Sequence, residues 1–279
     1  MTAHRFSQVD VFAASPFGGN PVAVIHDAEA LSSAEMAAIS RWTNLSETTF
    51  LLPAVAPGAD YRLRIFTPSG ELPFAGHPTL GSAHAWLEAG GAPATAGHVV
   101  QECGAGLVPV RLTGGDLAFR APPLLRSGPV DAATLTRAVH GLGATHDVIR
   151  GHHWVDNGPG FFAIEVPDVQ TLADLRPLAS RLDDLAVGAF AFTAGGAGHL
   201  YEVRAFFPKV TDCEDPVTGS LNAGIAKWLH EQGRVPDRYT VRQGMALGRD
   251  GLVQVAIEGD DVWIGGATRT AIAGTLTAR

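Results

Sequence analysis

The sequence predicts an α+β chain of two pseudo-symmetric halves, each a β-sheet wrapped around one buried helix, and three observations carry that prediction. First, two stretches half a chain apart are imperfect copies of each other: YRLRIFTP followed by AGHPTLGSAHA, and YEVRAFFP followed by CEDPVTGSLNA. Tyr61, Arg64, Phe66 and Pro68 match Tyr201, Arg204, Phe206 and Pro208 at an offset of 140 (201 − 61). Pro78, Gly81, Ser82 and Ala85 then match Pro216, Gly219, Ser220 and Ala223 at 138 (216 − 78), as if two residues were deleted. A period this long does not suit a solenoid; it fits two fused copies of one domain sharing an interface, the natural place for a site. Second, each copy ends in a helical run with apolar or small residues nearly all round. These are Leu80, Ala83, Ala85, Trp86 and Leu87 in one, and Leu221, Ala223, Ile225, Ala226, Trp228 and Leu229 in the other. Such a helix is buried, with sheet around it. Third, 279 residues with 46% hydrophobic content suffice for two cores.

The elements follow in order. Phe6 to Phe12 alternates as a strand, Gly-Gly-Asn-Pro at 18 to 21 is a turn, and Val22 to Ile25 is a second strand. Ser32 with Glu35 forms a capping box for a helix whose apolar face is Met36, Ile39 and Trp42. Leu45 to Leu52 returns as a strand, and Arg62 to Phe66 leads through a Pro-Ser-Gly turn to a helix at Pro78 to Glu88. In the second half, Gly160 to Val166 is a strand, Gln170 to Leu182 a helix, and Ala186 to Thr193 a strand; Glu202 to Phe206 leads to a helix at Pro216 to Gln232. The tail from Val253 to Leu276 reads as short strands broken by Gly259, Gly265 and Gly266.

A net charge of −8 without a basic run argues against nucleic acid or an anionic membrane as partner and favours a small molecule. No apolar stretch reaches the roughly 18 residues of a membrane span, and the first residues lack a signal peptide's apolar segment, so a cytoplasmic protein is expected. Two cysteines, Cys103 and Cys213, make neither a disulfide framework nor a metal-spaced cluster.

Chemistry is expected at the starts of the two buried helices. Proline suits a first turn, where its missing N–H would be an orphan, and Gly and Ser just inside leave backbone N–H groups open to a carboxylate or phosphate. The residue before each proline is ionisable, His77 in one copy and Asp215 in the other. Taken alone, His77 also reads as a structural histidine and Asp215 as a plain N-cap. Ser82 and Ser220 read as first-turn residues.

The runs FTPSGELPFAGHPTLGSAH and EDPVTGSLNA, the SETTF segment at Ser46 to Phe50 and the closing VRQGMALGRDG resemble the PhzF family of phenazine-biosynthesis-like isomerases, and the resemblance extends from QVDVFAASPFGGNPVAV onward. It implies the diaminopimelate-epimerase-like fold: two halves, each a mostly antiparallel sheet rolled around a central helix, with the active site between them. The last segment of such folds crosses back to the first half. The expected division is therefore residues 1–121 with about 271–279, and residues 122–270. The resemblance places the acid/base glutamate at Glu47 and makes His77, Asp215 and Ser220 pocket residues that assist or orient proton transfer; Ser46, Gly76 and Gly219 complete the expected substrate-binding set. A base that takes a proton from carbon and returns it elsewhere suits a carboxyl of raised pKa, and the apolar neighbours Leu45, Phe50 and Leu51 offer such a setting. At the 140 offset Glu47 falls opposite Val187 (187 − 47), so only one half carries the base.

Relatives of the fold that racemise amino acids use a thiol near each helix start; here those places carry Gly-His-Pro and Glu-Asp-Pro, which disfavours that chemistry. Gly158, Gly160 and Ala163 spell GxGxxA, but a strand follows where a dinucleotide site needs a helix. His152 and His153 have no third metal ligand and read as a solvated loop pair. The expectation is a cofactor-independent isomerase moving a proton, and with it a double bond, within a small anionic, carboxylate-bearing substrate. An amino-acid epimerase on the same scaffold and a non-catalytic binding protein stay open as alternatives. A homodimer is expected by family analogy.

Overall fold

The computed structural model describes residues 2–195, 197–209 and 213–278, and the chain divides into two compact units: Met1–Arg120 with Gly265–Arg279, and Ala121–Ile264.

Unit 1 runs β1 (Thr2–Val11), β2 (Asn20–Ile25), α1 (Ser33–Thr43), β3 (Thr48–Leu52), β4 (Tyr61–Thr67), β5 (Gly70–Leu72), α2 (Gly76–Glu88), β6 (His98–Cys103), β7 (Gly106–Thr113) and β8 (Asp116–Arg120). The C-terminal strand Thr268–Ala278 returns to pair antiparallel with β1, Thr2 opposite Ala278; the expected end of that segment at Arg279 lies outside the described residues. The pairs β1–β2, β3–β4, β4–β5, β6–β7 and β7–β8 are antiparallel, while β2–β3 and β4–β6 are parallel. The parallel pairs are those whose connections contain a helix, as a crossover requires.

Unit 2 runs β9 (Arg126–Gly128), α3 (Ala132–Gly141), β10 (Gly151–Asp156), β11 (Phe161–Glu165), α4 (Val169–Asp174), α5 (Ala179–Leu182), β12 (Ala186–Phe192), β13 (Tyr201–Phe206), β14 (Glu214–Asp215), α6 (Gly219–Glu231), β15 (Arg238–Gln243), β16 (Gly251–Glu258) and β17 (Asp261–Gly266), whose last two residues are counted with unit 1. Its pairing schedule repeats that of unit 1. The pairs β10–β11, β12–β13, β13–β14 and β15–β16 are antiparallel, and β11–β12 and β13–β15 are parallel around their helical connections.

Each unit buries one helix among its strands. The first eight residues of α2 and also Ala85 are buried, as are the first eight of α6 with Trp228 and Leu229. Gly81 lets α2 lie close against Val22 and Val11, where a methyl group would collide, and Gly224 brings α6 against the Val155 carbonyl. A side chain at either place would push the helix off its sheet.

Strand register corrects the reading of the repeat. Ile65 and Phe66 pair with Leu72 and Glu71, whereas Ala205 and Phe206 pair with Asp215 and Glu214. Glu71 and Glu214 are thus equivalent at an offset of 143 (214 − 71), and α2 and α6, 13 residues each, begin at the same offset (219 − 76). Gly81 and Gly224 share it, and so do Thr79, whose hydroxyl donates to the Ala75 carbonyl, and Asn222, whose amide donates to the Thr218 carbonyl. The second copy has three extra residues between Pro208 and Glu214 rather than two fewer. His77 is therefore equivalent to Ser220, and Asp215 to Leu72. By the β3–β4 and β12–β13 registers, Thr48 opposes Phe66 as Val187 opposes Phe206, so Glu47 corresponds to Ala186, one residue before the expected Val187. Short motifs of Pro, Gly and Ser match at several spacings, whereas hydrogen-bond register admits one.

The duplication also preserves an ion pair. Arg64 forks onto Glu71 at 2.7 and 2.6 Å, and Arg204 onto Glu214 at 3.0 and 2.7 Å. Each guanidinium lies over the phenylalanine two residues on, 5.0 Å from the Phe66 ring and 5.1 Å from the Phe206 ring.

Other expectations are revised. Met36 is buried on α1, but Trp42 is 82% exposed, so the apolar face is narrower than the spacing suggested. The segment read as one helix over Gln170 to Leu182 is two short helices, broken before Pro177, which cannot continue the hydrogen-bond ladder. The Leu172 and Leu175 carbonyls at this break accept from the Arg204 guanidinium. The tail is broken as expected: Gly259 lies between β16 and β17, and Gly265 and Gly266 are the last two residues of β17. His152 and His153 lie in β10 and accept backbone N–H groups from Val130 and Gly128; His153 also stacks on Trp228.

Candidate active site

In unit 1 the segment carrying Glu47 is delivered by the end of α1. The capping box at Ser32 starts this helix, and Asn44 closes it in the left-handed conformation, which asparagine tolerates. Leu45 and Ser46 then form a bend, half-buried, and the strand begins only at Thr48, three residues later than expected. The Thr43 and Thr48 hydroxyls meet at 2.7 Å across the bend. Glu47 stands between bend and strand, 7% exposed, its backbone fixed on both sides.

His77 is the second residue of α2, which begins at Gly76, two residues before the expected Pro78. It is 4% exposed, and its Nε2 lies 3.3 Å from Glu47 Oε2. Its Nδ1 lies 3.2 Å from the Asn20 amide nitrogen at the start of β2. The ring is thus held through Nδ1, with Nε2 on the side of the carboxyl. Burial lowers the His77 pKa to about 3, and the Pro21 carbonyl offsets this only in part. The contact is therefore between a carboxyl group and a neutral imidazole, not an ion pair.

Ala75, at the N-cap of α2, makes no side-chain capping bond. The first-turn backbone N–H groups at Gly76 and His77 are thus left without the usual side-chain acceptor. Ser82 lies in the second turn, not the first, and its hydroxyl donates to Thr49, whose hydroxyl donates to the Ala23 carbonyl. It fastens the helix to two strands.

In unit 2, α6 begins at Gly219, three residues later than the expected Pro216. Pro216 disfavours helical backbone at Asp215, and Asp215 instead pairs with Ala205. Asp215 is therefore neither inside the helix nor its N-cap; that position belongs to Thr218, whose hydroxyl donates to Asp215 Oδ2 at 2.6 Å. Gly219 and Ser220 form the first turn, both buried, and the Asn157 amide donates to the Ser220 carbonyl at 3.0 Å. Asn20, Thr218 and the fully buried Gln243 hold the site residues and escaped the sequence reading, because a buried amide or hydroxyl leaves no periodic trace.

Both thiols are in their inert form. Burial, chiefly, raises the pKa of Cys213 and of Cys103, so neither is held as the thiolate a proton-transfer pair requires. Among the described residues, no group of three or more His, Cys, Asp or Glu could hold a metal ion, and no helix is long and apolar enough to cross a membrane.

The profile of the phenazine biosynthesis-like proteins, PhzC-PhzF, matches residues 9–278. The chain is 34% identical over 294 residues to "Antisense-enhancing sequence 1" of Schizosaccharomyces pombe, covering 98% of this chain and 99% of that one. It is 35% identical to the trans-2,3-dihydro-3-hydroxyanthranilate isomerase of Pseudomonas aeruginosa, over 92% of this chain and 91% of the relative. The crystal structure of a PhzF-family phenazine biosynthesis protein from Enterococcus faecalis superposes with a TM-score of 0.81 at 25% identity, covering 99% of this chain and all (100%) of that one. The α+β architecture, with its two similarly built halves, is thus shared with solved family members, and the chain belongs to the PhzC-PhzF family of phenazine biosynthesis-like proteins and, with its named relatives, to the isomerases.

Proposed function

We propose that the protein is a cofactor-independent isomerase in which Glu47 takes a proton from one carbon of a small, carboxylate-bearing substrate and returns it to another. The observation that carries this reading is the buried Glu47 carboxyl 3.3 Å from a neutral, buried His77 imidazole. The ionised carboxyl is the base: it accepts the proton, the C–H electron pair enters the conjugated system, and the double bond moves. The carboxylic acid so formed is the only proton source the return step needs. His77, with Nε2 directed at the same carboxyl, orients it without competing for the proton. In this reading Ser46 and the first-turn N–H group at Gly76 hold the substrate's anionic group, and Gly219 and Ser220 keep their expected substrate-binding role. Asp215 assists proton transfer. The working form is a homodimer in the cytoplasm, by analogy with the family.

The test uses trans-2,3-dihydro-3-hydroxyanthranilate, the substrate named for the Pseudomonas aeruginosa relative. Turnover of substrate deuterated at the donor carbon, followed by mass spectrometry and nuclear magnetic resonance, should give an isomer carrying deuterium at the receiving carbon, diluted only as far as the Glu47 acid exchanges with water between the two steps. Inversion at one carbon without double-bond migration would refute the mechanism.

A further inference from the structure

Gln243 ends β15 and is fully buried. Its amide uses all four hydrogen-bonding positions on the segment that carries Asp215. Nε2 donates to the Asp215 carbonyl at 3.1 Å and to the Thr218 hydroxyl at 3.0 Å. Oε1 accepts from the Thr218 N–H at 3.0 Å and from the Asn222 amide at 2.9 Å. The Thr218 hydroxyl, having accepted from Gln243, must donate its own proton elsewhere, and it does so to Asp215 Oδ2 at 2.6 Å. Each group is thus fixed in a single donor or acceptor role, so the chain has a direction: amide to hydroxyl to carboxylate.

Unit 1 has a buried glutamine at a different register. Gln101 stands opposite Tyr61, as Val241 stands opposite Tyr201; it donates to the Thr79 hydroxyl at 3.0 Å and accepts from the Tyr61 hydroxyl at 3.0 Å, tying α2 to its sheet. The relay from glutamine through a threonine hydroxyl to a carboxylate belongs to unit 2, where the residue equivalent to Leu72 is Asp215.

We propose that Gln243, acting through Thr218, is a positioning residue that aims the Asp215 carboxylate and sets the first turn of α6. This rests on the role given above to Asp215. Neither Gln243 nor Thr218 touches the reacting atoms; a loosened Asp215 slows the chemical step while substrate binding changes little.

The experiment compares wild type with Thr218→Val, Thr218→Ser and Gln243→Glu, measuring kcat and KM on trans-2,3-dihydro-3-hydroxyanthranilate and amide hydrogen exchange over residues 217–221. Thr218→Val keeps the shape and removes the hydroxyl; misplacing a reacting group by about 1 Å costs up to about 100-fold, so kcat should fall by about 10- to 100-fold with KM within about 3-fold. Gln243→Glu, which loses both donors, should behave likewise. Thr218→Ser should restore kcat to within about 3-fold of wild type. Exchange should rise in Thr218→Val and return towards wild type in Thr218→Ser. Wild-type kcat and exchange in Thr218→Val would overturn the proposal, as would a KM-only effect. A wild type that does not turn over this substrate would count against the proposed function, and the exchange comparison would then decide the positioning role by itself.

Discussion

The Glu47 carboxyl and the His77 imidazole meet at 3.3 Å inside unit 1, both shielded from water and with the imidazole uncharged. A carboxyl facing a protonated histidine would be a weak base locked in an ion pair. Facing a neutral ring, it makes no ion pair with His77, as the proposed role of Glu47 requires.

Glu47→Gln preserves the shape and removes the base. Deuterium incorporation and kcat should fall by about 1,000-fold, within the range general acid–base groups contribute, while the Kd for substrate changes by less than about 5-fold. Retained exchange would remove Glu47 from the role.

His77 should make the protein acid-sensitive. Its pKa is about 3 folded against 6.5 for the free side chain, so between these values the unfolded chain binds more protons and stability falls as pH drops. One proton contributes at most about 1.4 kcal/mol per pH unit. Urea unfolding from pH 7 to pH 4 should show this slope, and His77→Asn should flatten it by about one proton's worth.

The two Arg–Glu forks should differ in energy despite their shared geometry. Arg204 and Glu214 are each 8% exposed at the side chain, whereas Arg64 and Glu71 are 25% and 43% exposed. Glu214→Gln leaves a buried guanidinium uncompensated and should cost about 3–5 kcal/mol; Glu71→Gln should cost no more than about 1 kcal/mol. Chemical denaturation of the two variants checks the difference.

Gly224→Ala should be worse tolerated than Gly81→Ala. The added methyl meets the Val155 backbone carbonyl in the first case and the Val22 side chain in the second, and a side chain yields more easily than a strand. Overpacking of about 1–3 kcal/mol is expected for Gly81→Ala and more for Gly224→Ala, read as loss of Tm.

By itself the sequence determined the α+β class, the doubling, the two buried helices and the family, because hydrophobic periodicity, caps and long motifs are local properties of the chain. The Ser32 capping box and the strands flanking Arg64 and Arg204 were legible for that reason. Tertiary structure decided how the copies correspond. Sequence matching put Asp215 opposite His77, whereas strand pairing puts Ser220 there and aligns Asp215 with Leu72, since register is set by backbone hydrogen bonds that side-chain identity does not encode. It also decided that Trp42 faces solvent, that His77 is neutral, and that Gln243 stands behind Asp215. Each of these depends on burial and on partners far away in the chain, which no local pattern of residues records.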